Sequence, residues 1–158
     1  MTEAAVEHKP SPHVPRWLVV MIWKVHRALY SMTRGRFGLR TPTDTRWGTL
    51  RLATVGRRSG KRRVAILGYI EDGPNLVIPA MNGWAEPEPA WWLNLQANPE
   101  ATVEMPDGST ASVTARASIR EEREQLWRRL VNLGSAAYTD ANAALRLRPT
   151  AIVVLEPR

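Results

Sequence analysis

Residues 47–117 alternate short β-forming stretches with turn residues, and this alternation limits the folds that are open to the chain. The predicted strands are WGTLRLATV (47–55), RVAILGYIED (63–72), LVIPAM (76–81), ATVEM (101–105) and TASVTARA (110–117). Strands this short, joined by Gly-containing turns, favour antiparallel hairpins. With AIVVLEP (151–157) as a sixth strand, they predict an antiparallel sheet closed into a small barrel. Peripheral helices make the fold class α+β.

Three other stretches have helical character. They are residues 16–34, residues 89–96 and a segment that begins at Ser118. Ser118 and Glu121 have the spacing of a capping box, in which the serine side chain bonds a backbone amide of the first turn. This last helix is expected to end at Gly134. Its predicted core-facing residues are Ile119, Leu126, Leu130 and Leu133.

The helix predicted over residues 16–34 is amphipathic. One narrow stripe carries its polar residues: Arg16, Lys24, Arg27, Ser31 and Arg34. Its apolar run is far shorter than the roughly 20 residues that span a bilayer. Two interpretations stay open: the helix lies in a membrane interface, or it packs its apolar face on the domain. Residues 1–15 are polar, lack a secretory signal and predict a flexible segment before the barrel domain, residues 47–158.

The composition excludes several kinds of chemistry. The chain has no cysteine, and its three histidines all lie in the first 26 residues. Disulfides, cysteine nucleophiles, histidine metal sites and a Ser-His-Asp triad in the barrel are therefore not expected, and the predicted metal content is none. An enzyme with this composition needs a bound cofactor for the difficult step. The lack of cysteine fits a reducing cytoplasm.

Positive charge is concentrated in one part of the chain. Residues 16–63 contain 13 Lys and Arg and one acidic residue, a net charge of +12. Residues 64–158 contain 8 Arg and 12 acidic residues, a net charge of −4. This asymmetry indicates an anionic partner. Nucleic acid is not expected, because no nucleic-acid-binding motif is present.

The stretch TVGRRSGKRR (54–63) joins two predicted strands and holds five of these cations. Gly56 and Gly60 would let backbone N–H groups converge on an anion, and Ser59 would add a hydroxyl donor. Arginines beside such a turn give bidentate contacts to phosphate. The alternative is a solvated basic hairpin tip. The spacing does not match a Walker loop.

The stretch PAMNGWAEPEPAWWLNLQANPE (79–100) follows a strand with Asn82-Gly83 and several tryptophans. Aromatic rings beside a glycine at a strand end predict a slot for a flat, conjugated ligand. The alternative is that Trp91 and Trp92 belong to the core. Because adjacent helical residues do not share a face, one of these two tryptophans is expected to point elsewhere.

These two stretches together resemble the deazaflavin-dependent nitroreductase family, actinobacterial proteins with a split β-barrel fold. The matching patterns are T-x-G-R-[KR]-[ST]-G-x-x-R and P-x-W-[YW]-x-N-L-x-A-N-P, and the resemblance covers about residues 47–157. It implies that the chain binds coenzyme F420, whose phosphate and oligoglutamate tail is polyanionic. It also implies hydride transfer from the reduced deazaflavin to a quinone, an enone or a nitroaromatic compound. FMN shares the ring system and a phosphate, and is the alternative cofactor.

The resemblance assigns roles to particular residues. It implies that the phosphate and tail are held by Arg57, Arg58 and Arg63, assisted by Ser59 and Lys61. It implies that the ring is lined by Ala80, Met81, Asn82 and Gly83, with Trp91 shaping the pocket and Asn94 also in the cofactor site.

Two departures from the family pattern concern the acceptor. Met81 stands where members often carry a hydroxyl residue. Members also often carry a cluster of tyrosines in the late helical segment, where this chain has only Tyr138. No catalytic residue is therefore assigned, and Tyr138 is the candidate proton donor. Trp84 and Tyr138 are the predicted substrate contacts, and quinone or enone reduction is favoured over nitroreduction. The expected partners are F420, a small hydrophobic acceptor and the inner face of the cell membrane. The alternative functions are an F420 or flavin carrier and a basic membrane-surface module.

Overall fold

A computed structural model describes residues 38–81, 88–134 and 149–158, together with Met21. These residues form six strands and two helices: β1 (Gly48–Val55), β2 (Arg62–Asp72), β3 (Asn75–Pro79), α1 (Ala90–Ala97), β4 (Glu100–Glu104), β5 (Thr110–Ala117), α2 (Arg120–Leu133) and β6 (Ile152–Pro157). The strands close a barrel in the order β1-β2-β3-β6-β5-β4, and every pairing is antiparallel. The predicted small antiparallel barrel is confirmed.

Two long-range pairings close the barrel. β4 returns to the free edge of β1, where Val103 lies opposite Leu52. β6 enters between β3 and β5, with Leu155 opposite both Leu76 and Ala115. Each strand is short, so closing the sheet on itself leaves few strand edges exposed.

The interior of the barrel is filled by alternate residues of its strands, because successive side chains point to opposite faces. The largest fully buried side chains of this cluster are Leu50, Leu52, Tyr69, Ile78, Val103, Val113 and Leu155. β6 is buried on both faces. Val153 and Leu155 belong to the interior, whereas Ile152 and Val154 pack outside the barrel with Leu126 and Leu130 of α2. The run of four buried residues in β6 follows from this two-sided packing.

Helix α1 adds both of its tryptophans to the barrel interior. Trp91 and Trp92 are 8% and 5% exposed, and their ring centroids lie 6.4 Å apart. The expectation that one of them points elsewhere is therefore wrong. Leu95 and Asn94 are buried as well, so α1 is covered around more than one face and can bury adjacent residues.

The start of α2 differs from the sequence interpretation. The N-cap is Ile119. Among the described residues no side chain caps the helix, and Ser118 Oγ is buried without a hydrogen-bond partner there. Ile119 is 64% exposed, so its predicted core position is also wrong. The N–H of Ser118 bonds the carbonyl oxygen of Ile152 at 2.8 Å, and Arg120, the first residue of the helix, has a left-handed φ of 52°. Leu126 and Leu130 are buried as expected, and Gly134 is the C-cap.

The chain divides into two units, Met1–Gly38 and Leu39–Arg158, and the barrel lies in the second. The segments predicted as flexible (1–15) and amphipathic (16–34) lie outside the described residues apart from Met21. No helix within the described parts of the chain is long and apolar enough to cross a membrane.

Candidate cofactor site

The turn between β1 and β2, residues 56–61, is the point from which the candidate site is built, and we call it the cation turn. It is closed by the N–H of Gly56 to the carbonyl oxygen of Lys61 at 2.8 Å and by the N–H of Gly60 to the carbonyl oxygen of Gly56 at 2.8 Å. Gly60 has a φ of +63°, which favours glycine at that position. A Cβ at Gly56 would meet Ser59 Oγ at 2.9 Å, so the first glycine is fixed by the compactness of the turn.

The backbone amides of the cation turn do not form the predicted anion nest. The N–H groups of five turn residues donate within the protein, namely those of Gly56, Arg57, Ser59, Gly60 and Lys61. The prediction that these amides converge on a ligand is therefore wrong. An anion at this turn would therefore be bound by the side chains and not by the backbone amides.

The side chains of the cation turn and the start of β2 carry five positive charges. All five are exposed, and within the described residues none forms an ion pair: Arg57, Arg58, Lys61, Arg62 and Arg63. Arg63 donates to Ser59 Oγ at 3.3 Å, which draws its guanidinium toward the turn. Arg62 and Arg63 are adjacent in β2 and therefore point to opposite faces of the sheet.

Asn94 of α1 connects the cation turn to the barrel. Its Nδ2 donates to Thr54 Oγ1 at 3.2 Å. Its Oδ1 accepts from the backbone N–H of Arg57 at 3.1 Å and from Nη1 of the same arginine at 3.4 Å. Asn94 is 4% exposed and Thr54 is 3% exposed, so the contact is a buried one.

β2 and β3 are separate over the part of β2 that follows the cation turn. β2 pairs with β1 along Arg62–Tyr69, but it pairs with β3 only at Ile70, Glu71 and Asp72. β3 continues along β6 as far as Pro79, and the N–H of Ala80 then donates to the carbonyl oxygen of Ala151 at 2.8 Å. The barrel is therefore split between the first half of β2 and the end of β3.

The open edge of β2 presents backbone groups to this split. On the other side of β1, Thr49 exchanges two backbone hydrogen bonds with Arg40, at 2.8 and 3.2 Å. Successive residues of an antiparallel strand turn their backbone groups to alternate sides. Because the backbone groups of Thr49 face Arg40, they point away from β2, and Thr49 and its partner Gly68 are not hydrogen-bonded to each other. The N–H and C=O groups of Val64, Ile66 and Gly68 consequently point into the split, where no strand of the described chain pairs with them.

The sequence pattern of the F420H(2)-dependent quinone reductase family matches residues 22–157. The chain belongs to this family. It is 32% identical to an F420H(2)-dependent quinone reductase of Mycobacterium tuberculosis, in an alignment that covers 92% of this chain and 99% of that protein. The membership confirms the predicted cofactor, coenzyme F420, and the predicted class of activity, an F420-dependent oxidoreductase.

Two solved structures are similar to this family member. One is an F420-H2 dependent reductase, with a TM-score of 0.61 and 28% identity, covering 68% of this chain and 93% of that one. The other is a domain-swapped dimer, with a TM-score of 0.64 and 26% identity, covering 87% of this chain and 97% of that one. The split β-barrel fold implied by the resemblance is thereby confirmed.

The described residues of this quinone reductase family member fit the chemistry of F420. A phosphate and several carboxylates require cations that are not already neutralised, and the cation turn supplies them. Within the described residues no cluster of three metal-ligating side chains is present.

The predicted ring-lining residues are described in part. Ala80 is 4% exposed and follows β3 directly, and Met81 is half-buried with its N–H donating to the carbonyl oxygen of Pro79 at 2.9 Å. Trp91 is buried in α1. Asn82, Gly83, Trp84 and Tyr138 lie outside the described residues, and their roles stay predictions.

Sequence reasoning missed two features of the site. Thr54 is the first residue of the T-x-G-R pattern, but it was given no role because a threonine is ordinary in a strand, and its buried contact with Asn94 now supplies one. The open edge of β2 was also missed, since RVAILGYIED has the composition of a strand that is paired throughout. Knowing where β3 leaves β2 requires the pairing register.

Proposed function

We propose that this chain reduces quinones with F420H2, holding the coenzyme between the cation turn and the split of the barrel. The observation that carries the proposal is that exposed cations, none of them ion-paired within the described residues, adjoin the open edge of β2. F420H2, when bound, supplies the hydride. The protein binds and orients the coenzyme and the acceptor.

The cation turn is proposed as the site of the phosphate and the oligoglutamate tail. Arg57, Arg58 and Arg63 would make charge-assisted hydrogen bonds, with Ser59 and Lys61 beside them. All five side chains are exposed. Binding of a polyanion by exposed cations weakens as salt screens the charges.

The split is proposed as the site of the deazaflavin ring. Val64, Ile66 and Gly68 offer backbone donors and acceptors that a heterocycle with amide-like edges can bond. Ala80 and Met81 follow the strand on the other side of the split, and the buried Trp91 shapes the adjoining interior. These assignments follow the family resemblance, and the open edge of β2 supports them independently.

The acceptor is proposed to be a quinone, in agreement with the name of the family. Met81 offers no side-chain hydroxyl that could donate a hydrogen bond to a nitro group, which favours a quinone over a nitroaromatic acceptor. Trp84 and Tyr138 are proposed as acceptor contacts, with Tyr138 as the candidate proton donor. An F420 carrier without turnover is the second candidate, since the same cations would serve it.

Titration of F420 by its fluorescence tests the proposal. We expect saturable binding that weakens with added salt, and Arg57→Ala and Arg58→Ala should each raise the Kd about tenfold for a lost charge-assisted contact. Arg128→Ala removes an exposed cation from α2 and is the matched control, with an unchanged Kd. Both turn variants should keep the stability of the wild type within about 0.5 kcal/mol. Absence of F420 binding at low salt would contradict the proposal.

Turnover and cofactor choice need separate measurements. Oxidation of F420H2 with menadione as acceptor distinguishes an enzyme from a carrier, because a carrier binds without turnover. A parallel titration with FMN tests the alternative cofactor, and tighter binding of FMN than of F420 would overturn the assignment.

Membrane contact through residues 16–34 is a separate proposal, based on the basic stripe and the apolar face of that segment. The full chain should co-sediment with anionic liposomes, and a chain without residues 1–34 should not. Equal sedimentation of the two would exclude it.

A further inference from the structure

We infer that Asn94 is a positioning residue, which sets the cation turn for the coenzyme from behind and does not contact the coenzyme itself. The inference rests on the proposed role of the cation turn. It assigns Thr54 to the same unit, as the residue that orients the Asn94 amide.

The hydrogen bonds of Asn94 are directed into the protein. At 4% exposure its side chain has almost no surface for a ligand. One end of its amide bonds Thr54 in β1, and the other end bonds the backbone and side chain of Arg57. A residue whose amide is used at both ends acts through its neighbours.

The orientation of the amide follows from the chemistry of its partners. The backbone N–H and the guanidinium of Arg57 can only donate, so Oδ1 must face them. The NH2 group then faces Thr54, whose hydroxyl oxygen accepts the bond at 3.2 Å. The Thr54 hydroxyl thus adds to the two Arg57 donors in holding the amide in the orientation that serves Arg57.

The contact fixes both the start of the cation turn and the direction of its first side chain. Arg57 follows Gly56, and its guanidinium nitrogen Nη1 lies 3.4 Å from Asn94 Oδ1. A side chain that is already directed loses less conformational freedom when it binds an anion. Because Asn94 and Trp91 lie on the same helix, this contact also keeps the phosphate side and the ring side of the site in a constant relation.

Amide hydrogen exchange in the F420-free protein tests the contact without the coenzyme. Asn94→Leu should accelerate exchange at the Arg57 amide, whereas exchange at Leu52 in the barrel should not change. Gln96→Ala, an exposed substitution on the same helix, should leave the Arg57 amide as protected as in the wild type. An unchanged Arg57 amide in Asn94→Leu would overturn the positioning role, whether or not F420 binds.

The Kd for F420 tests the consequence. We expect Asn94→Leu to raise the Kd about five- to tenfold and Thr54→Val to raise it less, as expected for loss of one or two hydrogen bonds. In an Arg57→Ala background the effect of Asn94→Leu should shrink but not vanish, because the bond to the side chain is already lost while the bond to the backbone N–H of residue 57 remains. Full additivity of the two substitutions would show that Asn94 does not act through the Arg57 side chain, and would overturn that part of the inference.

Thr54→Val keeps the test decisive if Asn94→Leu does not fold, because it preserves the shape of a buried side chain. A wild-type Kd together with a wild-type Arg57 exchange rate in Thr54→Val would also overturn the orienting role of the hydroxyl. If the wild type itself fails to bind F420, the proposed function fails, while the exchange experiment still reports on the contact.

Discussion

Gly68 lies against the indole ring of Trp47, and a Cβ at Gly68 would come within 2.8 Å of Trp47 Cε3. The same indole donates its Nε1–H to the carbonyl oxygen of Leu130 at 3.0 Å. One tryptophan thereby packs on β2 at Gly68 and bonds the last turn of α2. The glycine is needed because the ring comes so close to the strand.

Gly68→Ala should destabilise the protein by about 1–3 kcal/mol, because the added methyl group has to displace Trp47 or bend β2. Urea unfolding at neutral pH measures the change. The cost should be smaller in a Trp47→Leu background, where the ring atoms that would clash are absent. An equal cost in both backgrounds would mean that the strand resists the methyl group for another reason.

Tyr69→Phe should raise the free energy of unfolding by about 1 kcal/mol at neutral pH. The hydroxyl of Tyr69 is fully buried and has no hydrogen-bond partner among the described residues, so its removal relieves an uncompensated desolvation. A lower stability of the phenylalanine variant in urea unfolding would show that the hydroxyl has a partner in solution.

The stabilities of the wild type and of Tyr69→Phe should also differ in their dependence on alkaline pH. Burial, assisted by the negative charges of Glu71 and Asp107, raises the pKa of Tyr69 from 10.0 to about 12. Folding favours the neutral form of Tyr69. The resulting contribution to the free energy of unfolding is complete below pH 10 and is lost as the pH rises from 10 to about 12. Stability should therefore fall more steeply over this range in the wild type than in Tyr69→Phe. Parallel curves would contradict the raised pKa.

The stability of Ser118→Ala distinguishes the predicted N-cap role of Ser118 from the start of α2 that the structure shows. Loss of a serine N-cap costs about 1 kcal/mol. The Oγ of Ser118 is buried without a partner, so the structure predicts no loss of stability and a small gain instead. Ser109→Ala is the control, because Ser109 Oγ donates to Asp107 Oδ1 at 2.6 Å and its removal should be unfavourable.

Arg120→Gly should stabilise the protein by about 0.5–1 kcal/mol. The φ of Arg120 is 52°, a left-handed conformation that costs an L-residue about 1–2 kcal/mol and costs glycine very little. The greater freedom of glycine in the unfolded chain offsets part of this gain. Arg128→Gly, in the middle of the same helix, should lose about 1 kcal/mol. Thermal unfolding of the two variants should therefore shift in opposite directions.

The fold was predictable because its strands are short, local and separated by strong turn signals. The observed strands begin and end within about two residues of the predicted ones, and the turn at Gly73 has the φ of +58° that favours glycine. The start of α2 was not predictable in the same way. A capping box is a local pattern, whereas the position of Ser118 is fixed by its N–H bond to the carbonyl oxygen of Ile152 in a distant strand.

The candidate site was predictable in its charges but not in its connections. The two glycines of the cation turn, and the five cations of the turn and the start of β2, are visible in the sequence. The use of the turn amides within the turn, and the buried contact of Asn94 with Thr54, depend on how a helix 40 residues later packs on β1. Contacts between distant segments of this kind carry no signature in a single sequence.

The position of β6 has a consequence for when the site can form. The strand separates β3 from β5 in the barrel, yet it is translated after all the other strands. Ala80 is held by the carbonyl oxygen of Ala151, which immediately precedes that strand. A nascent chain that has exposed only the cation turn and α1 therefore lacks the second wall of the split. The second wall of the split therefore takes its place only when β6 has paired with β3, whatever the order in which the other strands fold.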